Sequence, residues 1–486
     1  MKVLLYRVFF VLTLINTAFP QTILWNQTYG GDQYDEADAV QMTTDGGFIT
    51  AGYTQSFGLG RFGNGYIIKT NADGDTLWTR MFGSDGMDVF ADLIATPDSG
   101  YIAVGLTDTP NDFENIYVVK VDNDGNTIYE KNFGGPQKDV GLSIAPAEDG
   151  GYVITGGTKS VSVGEEDLFL FKIDAAGDSV WFKTYGTAGN DPGYGINPTG
   201  DGGFIVSGLY NWTDAWLLRT DADGDTLWTK TYGGSDYDEA NCPLQTSDNG
   251  YIFCGSTASM GAGELDAYVV KTDSAGNMIW QKTYGGSGYD EGRRIVAKPG
   301  GGYMILSNTD SQISGEFNYY LISADENGDT LWTETIGKNG GEDRAYDLLN
   351  ISQSEYIIAG STFDAVNLGE ATLTVVNDDS APVGVKDEEN NISGYHLADA
   401  YPNPFNPSAT IEYSVGNITA GAPGNQMTTL KIYDVLGNEV AVLVNRVQSP
   451  GQYKIKFNAG GLASGLYFYR LQSGNFVQTK KLVLLK

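Results

Sequence analysis

Seven times along this 486-residue chain an acidic side chain follows an aromatic one by ten residues: Asp35, Asp88, Asp139, Asp191, Asp238, Asp290 and Glu342. Brought together in a ring, such carboxylates would concentrate cations and offer Ca²⁺ its oxygen ligands. Held each against its own loop, they would accept backbone N–H bonds and fix a chain crossing. Seven near-identical positions favour the second use, since a ligand site usually breaks the symmetry of its scaffold. The turns Asp221-Ala-Asp223-Gly-Asp225 and Asn123-Asp124-Gly125-Asn126 carry calcium-loop residue types. An EF-hand needs Gly at position six and Glu at twelve; counted from Asp221, those places hold Thr226 and Tyr232. They read as hairpin turns. The single histidine, His396, lies outside the repeats, which excludes His-based triads and His-ligated zinc within them. Carboxylate pairs for glycoside cleavage are available in number, but none stands apart from its repeat copies. Cys242 and Cys254 flank the turn Ser247-Asp248-Asn249 and face each other across a hairpin, as a disulfide or as two small buried apolar side chains.

The aromatic residues that set this spacing are Trp25, Trp78, Tyr129, Trp181, Trp228, Trp280 and Trp332, separated by 53, 51, 52, 47, 52 and 52 residues. A glycine precedes six of them by four residues (Gly74, Gly125, Gly177, Gly224, Gly276 and Gly328), each in a tight Asp/Asn-Gly turn that calls for positive φ. Each period holds four short strand patterns and no helical periodicity. That is one blade of a propeller. Ile23-Leu24-Trp25 is an aromatic strand with no partner ahead of it; Ala371-Thr-Leu-Thr-Val-Val376 is a partner with no aromatic strand behind it. Joined, they complete a seventh blade and remove the open edges. The fold predicted is all-β: a seven-bladed β-propeller over 21–376, closed by its N-terminal strand, then a linker at 377–394 and a small Ig-like β-sandwich at 395–486.

The run Phe171-Lys-Ile-Asp-Ala-Ala-Gly-Asp-Ser-Val-Trp181 resembles the tryptophan-docking blades of quinoprotein dehydrogenases, and the whole repeat is similar to those of secreted bacterial proteins of the form W-x-K-T-Y-G-G…D-G-G-Y-I. The resemblance implies architecture and says nothing of a ligand. Loops between the second and third strands of each blade vary most, and the topology puts them on one face. Phe57, Phe62, Trp212, Trp216 and Phe317 fall on or beside them, where they would stack on a glycan or protein partner or plug the loop bases.

Residues 1–20 carry Lys2 and Arg7 ahead of the apolar run Val8–Leu14, a pattern that predicts a signal peptide, and no other apolar run is long enough to span a bilayer. The net charge is −32, distributed as +2 in the leader, −38 over 21–394 and +4 in the tail. So acidic a surface disfavours nucleic acid. Within the tail, Tyr401-Pro402-Asn403-Pro404, the turn at Gly437, Gly465 with Tyr467, and Lys480, Lys481 and Lys486 at the end resemble the type A C-terminal sorting domain of the type IX secretion system. The resemblance implies passage through the periplasm and across the outer membrane of a Gram-negative bacterium, with the secretion machinery and a sortase-like peptidase as partners. The function expected is a non-catalytic binding or adhesion module for an extracellular glycan or protein, with no cofactor unless Ca²⁺. A hydrolase or lyase acting on extracellular polysaccharide is the alternative.

Overall fold

The computed structural model describes residues 22–378 and 396–484, apart from 59–61, 109–112, 312–315, 338–340, 364–368, 398–399, 401–404, 406, 416–425, 434–438, 449–450 and 474–475. The predicted signal peptide, Tyr401–Pro404, Gly437 and Lys486 lie outside the described residues. Two compact units divide between Gly384 and Val385, inside the expected linker. All regular structure among the described residues is β.

The first unit holds seven four-stranded antiparallel sheets, one of them extended by the short parallel strand Asn190–Asp191. Six take their strands in chain order, as in Asp35–Met42, Phe48–Thr54, Asn64–Thr70 and Thr76–Phe82. The seventh takes Asp343–Asn350, Glu355–Thr362 and Glu370–Asn377 from the end of the unit and Thr22–Tyr29 from its beginning. There Thr22 stands opposite Asn377 and Tyr29 opposite Ala371. Val40 N donates to Asp347 Oδ2 at 2.9 Å, so the first sheet lies against the seventh. Sequence composition explains the layering. The second and third strands are nearly continuous apolar and β-branched runs and are buried on both faces, whereas the fourth alternates and is largely exposed.

Six of the seven repeated aromatics pack on the turn glycine of the next sheet; the seventh, Trp332, donates its indole N–H to Asp378 Oδ1 at 3.0 Å. A Cβ on Gly276 would stand 2.9 Å from Trp228 Cζ3, and one on Gly328 2.9 Å from Trp280 Cη2; both glycines also have φ near +76°. The glycine therefore answers two demands at once, a left-handed backbone and the approach of an indole. Where the motif reads W-x-x-x-Y, the tyrosine hydroxyl completes the clamp: Tyr29, Tyr232 and Tyr284 donate to Gly74 O, Gly276 O and Gly328 O, each at 2.7 Å. The calcium-like turns are Asx turns. Asp221 Oδ1 accepts from Asp223 N at 3.0 Å and Asp225 N at 2.8 Å, and Asp122 and Asp325 repeat the pattern.

In the second unit a three-stranded sheet (His396–Leu397, Ser408–Val415, Gly451–Asn458) and a four-stranded sheet (Gln426–Tyr433, Glu439–Gln448, Gly465–Ser473, Phe476–Leu484) share one apolar core. Phe405, which closes the Tyr401-Pro-Asn-Pro-Phe run, is buried there, and its N–H donates to Val483 O at 2.9 Å. Tyr467 is buried and donates to Ala463 O at 2.8 Å; Lys480 and Lys481 pair in register with Tyr469 and Phe468.

Candidate functional site

The innermost strand of each sheet begins at or just after a crossing carboxylate and, in six of the seven, ends at a Gly-containing turn; the second strand returns to the same end, as Asp35 opposite Thr54 illustrates. One face of the unit therefore carries the crossings, the variable loops and the mouth of the lumen. We call it the mouth face.

At the crossings, Asp238 is typical. Its carboxylate accepts from Gly234 N at 2.7 Å, Ser259 Oγ at 2.7 Å and the Thr257 hydroxyl. Asp35 and Asp139 have the same three kinds of partner. Asp88 accepts from Ser84 N and Thr107, Asp191 from Thr187 N and Asn211 N, and Asp290 from Gly286 N and Ser311. All six are buried. The seventh expectation needs correction: Glu342 is exposed, 3.7 Å from Arg344 Nε, and the buried residue that opens the last innermost strand is Asp343. The repeat is one residue longer there, so counting from Trp332 lands one position short. Among the described residues no three His, Cys, Asp or Glu side chains converge as metal ligands. Each crossing carboxylate is committed to its own loop.

The lumen is where the repeats part company. Three residues after each crossing carboxylate stand Asp38, Ala91, Leu142, Tyr194, Asn241, Arg293 and Tyr346. These positions break the sequence symmetry and carry two matching clusters. In one, Tyr34 donates to Glu36, which Tyr346 from the neighbouring sheet also holds. In the other, Tyr237 donates to Glu239 at 2.5 Å and is hydrogen-bonded to Tyr194 of the neighbouring sheet. Asn241 Nδ2 reaches Glu239 Oε1 at 3.0 Å. The first cluster has Asp38 in the place of Asn241. Burial pushes the Asp38 carboxyl well above its ordinary range; Glu36 adds to the push and Arg293 opposes it. Burial raises Glu36 as well, against the pull of Tyr34 and Tyr346. Both acids thus favour the neutral form on folding, which costs stability as pH rises through and beyond the ordinary carboxylate range near 4. Asp38→Asn is accordingly expected to raise the melting temperature at pH 7 by about 2–4 °C, and to lose that gain as pH falls to 4, in paired calorimetric scans.

One residue further in, Arg294 crosses the lumen. Its Nε lies 2.8 Å from Asp347 Oδ1 in the seventh sheet, and its Nη2 lies 3.9 Å from Asp92 Oδ1 in the second. Asp92 in turn accepts from Ser143 Oγ at 2.8 Å and Ile144 N at 3.0 Å in the third sheet. This guanidinium therefore ties the sixth sheet to the second and the seventh.

The loop aromatics divide. Trp216 is buried, its indole N–H on Thr229, so it is a core residue of the fourth sheet. Phe317 is half-buried beneath the Arg344 guanidinium, 4.1 Å from its ring centre. Phe57 and Phe62 are exposed. Trp212 is 51% exposed and sits in a two-residue turn with Asn211, at φ 68° and 50°. Thr213 N donates to Tyr210 O across that turn, while Thr213 O accepts from Asp238 N at 2.7 Å. The turn therefore abuts the backbone of the Tyr237 cluster. Positive φ on a tryptophan is uncommon and strained. Sequence reasoning singled out Trp212 but missed both tyrosine–glutamate clusters and Arg294. Their signal was the difference between repeats at fixed offsets from each crossing acid.

Cys242 and Cys254 are directly opposed in register, buried in one core, and present as free thiols.

Comparison with known proteins separates the two units. Residues 399–485 match the family described as the secretion system C-terminal sorting domain. The sorting domain marks this chain for type IX export to the cell surface or extracellular space. No curated protein matches the sequence. Among solved structures, a protein of unknown function from Dyadobacter fermentans is similar at 12% identity and a TM-score of 0.42, over 74% of this chain and 99% of that one. PorZ, a surface component of the type IX secretion system of Porphyromonas gingivalis, is similar at 11% identity and a TM-score of 0.35, over 87% of this chain and 64% of PorZ. Sqt1 from Chaetomium thermophilum is similar at 12% identity and a TM-score of 0.44, over 81% and 97%. No helix among the described residues is long and apolar enough to cross a membrane.

Proposed function

We propose that the exported chain is a non-catalytic binding module that takes an extracellular glycan on its mouth face, at the Trp212–Tyr237 side of the lumen. The observation that carries this is Trp212: a large aromatic held exposed, at unfavourable φ, on the shortest of the variable loops. Strain of this kind survives where the side chain has a use. An exposed indole offers a sugar ring a flat apolar face, and the hydroxyl, carboxylate and amide of Tyr237, Glu239 and Asn241 offer hydroxyl groups their partners. The tail would hand the chain to the type IX machinery, and a sortase-like peptidase would then remove it, leaving the propeller displayed or released.

A second reading has its own observation. Glu36 and Asp38 are neighbouring carboxyl groups with raised proton affinity, the starting condition for acid–base cleavage of a polysaccharide. A glycan array followed by thermal-shift titration of the exported protein tests both readings. Binding of one glycan class without loss of substrate supports the module. Turnover abolished by Asp38→Asn favours the hydrolase or lyase. A melting shift with Ca²⁺ alone would return the crossing carboxylates to consideration.

A further inference from the structure

The fifth sheet carries the only cysteines of the chain, and their placement there has no counterpart in the other six sheets. Cys242 lies on the innermost strand Asp238–Gln245, immediately after its bulge, and Cys254 lies on the partner strand Tyr251–Thr257. The two are register partners. Directly opposed residues of an antiparallel pair have Cα atoms about 4.5 or 5.5 Å apart, depending on the hydrogen-bonding phase. Both separations fall within the span of roughly 4.4–6.8 Å that a disulfide bridges. The side chains share a face, because both belong to the core cluster that also holds Ile252, Val269 and Ile295. No rotation of a strand or slip of register is needed to join them.

We propose that Cys242 and Cys254 form a disulfide in the exported protein, closing the innermost hairpin of the fifth sheet. The surroundings suit its formation. Cys254 donates its S–H toward Cys242, and the Arg294 guanidinium stands beside it; together they lower the Cys242 thiol below its ordinary range. Burial pushes the Cys254 thiol up. Cys242 is thus the attacking thiolate and Cys254 the resolving thiol. The oxidant is a protein dithiol oxidase of the exporting compartment, in its disulfide form. Cys242 Sγ attacks that disulfide and forms a mixed disulfide with release of one oxidase thiolate. Cys254, deprotonated, then attacks Cys242 Sγ. The internal S–S bond forms, the mixed S–S bond breaks, and the oxidase leaves as a dithiol carrying the two electrons and, with solvent exchange, the two protons. Because both sulfurs are buried in the folded sheet, the exchange precedes closure of the core around the hairpin, with Arg294 already beside Cys242.

The bond would also change the surroundings of Arg294. Cys242 is one of the groups that face Arg294, with Asp347 and Asp92. Tying its sulfur to Cys254 removes a titrating thiol from that set and leaves Arg294 to the two aspartates.

The test uses wild-type protein recovered from the culture medium or cell surface, denatured in excess maleimide without reductant, then digested and analysed by mass spectrometry. The expected result is no maleimide on either cysteine and a linked peptide pair that separates, with both cysteines labelled, after reduction. Maleimide on both cysteines of the exported protein without reduction would overturn the proposal. No substituted variant is involved, so failure to fold cannot mimic either outcome.

Discussion

Arg294→Met is expected to destabilise the first unit by about 3–5 kcal/mol, the scale seen when one partner of a buried charge network is removed. The reason lies in what remains. Asp92 and Asp347 are buried and point into the space the guanidinium occupied. Each keeps backbone donors, Ile144 N and Leu93 N on Asp92, Val40 N and Leu348 N on Asp347, so the carboxylates cannot swing out to solvent without losing those bonds too. Burial already raises the Asp92 carboxyl above its ordinary range, with Arg294 as the main opposing influence. Without the arginine its proton affinity rises further. The defect is therefore greatest at neutral pH and shrinks as pH falls toward the ordinary carboxylate range, where the folded state takes up the proton. Adding Asp92→Asn and Asp347→Asn to Arg294→Met is expected to recover part of the loss at pH 7. Urea titrations at pH 7 and pH 5 measure all of this; equal losses at both pH values would show that the arginine acts by packing alone.

Gly276→Ala is expected to cost about 2–4 kcal/mol, far more than such a change costs on an ordinary exposed turn. A left-handed backbone carrying a Cβ accounts for roughly 1–2 kcal/mol. The rest comes from contact, because the new methyl would stand 2.9 Å from Trp228 Cζ3 and 3.0 Å from Lys230 Cγ. The indole has to move, and Tyr232, whose hydroxyl holds Gly276 O at 2.7 Å, resists the shift of the turn. The contact share is separable by a double-mutant cycle with Trp228→Ala. Coupling on the order of 1 kcal/mol is expected, and additivity would mean the glycine answers to its φ alone.

These two sites mark what the sequence makes legible and what it hides. The clamp of aromatic and glycine repeats six times, so its period, turn chemistry and split final blade can be read from spacing. Thr22–Tyr29 paired to Glu370–Asn377 is the outcome that spacing predicts. The same averaging hides Arg294, Asp38, and the Tyr194 and Tyr346 that complete the two tyrosine–glutamate clusters, because what stands at their offsets changes from repeat to repeat. Their meaning depends on which sheets face each other across the lumen, which repeat counting alone does not provide. Asp343 was missed for a simpler reason, an added residue in the loop before it. Trp216 looked like a loop residue because the fourth repeat is short; with the loop reduced to Asn211, Trp212 and Thr213, it falls inside the third strand, Asp214–Thr220.

The most direct measurement on the central claim, that the mouth face at Trp212 is the binding site, is the affinity of Trp212→Gly for the glycan selected on the array. Glycine accepts the turn's positive φ, so this variant is expected to be at least as stable as the wild type, by up to about 1 kcal/mol. The account predicts that affinity falls tenfold or more while the melting temperature holds or rises. Unchanged affinity in a folded Trp212→Gly protein would contradict it and move the ligand elsewhere on the ring.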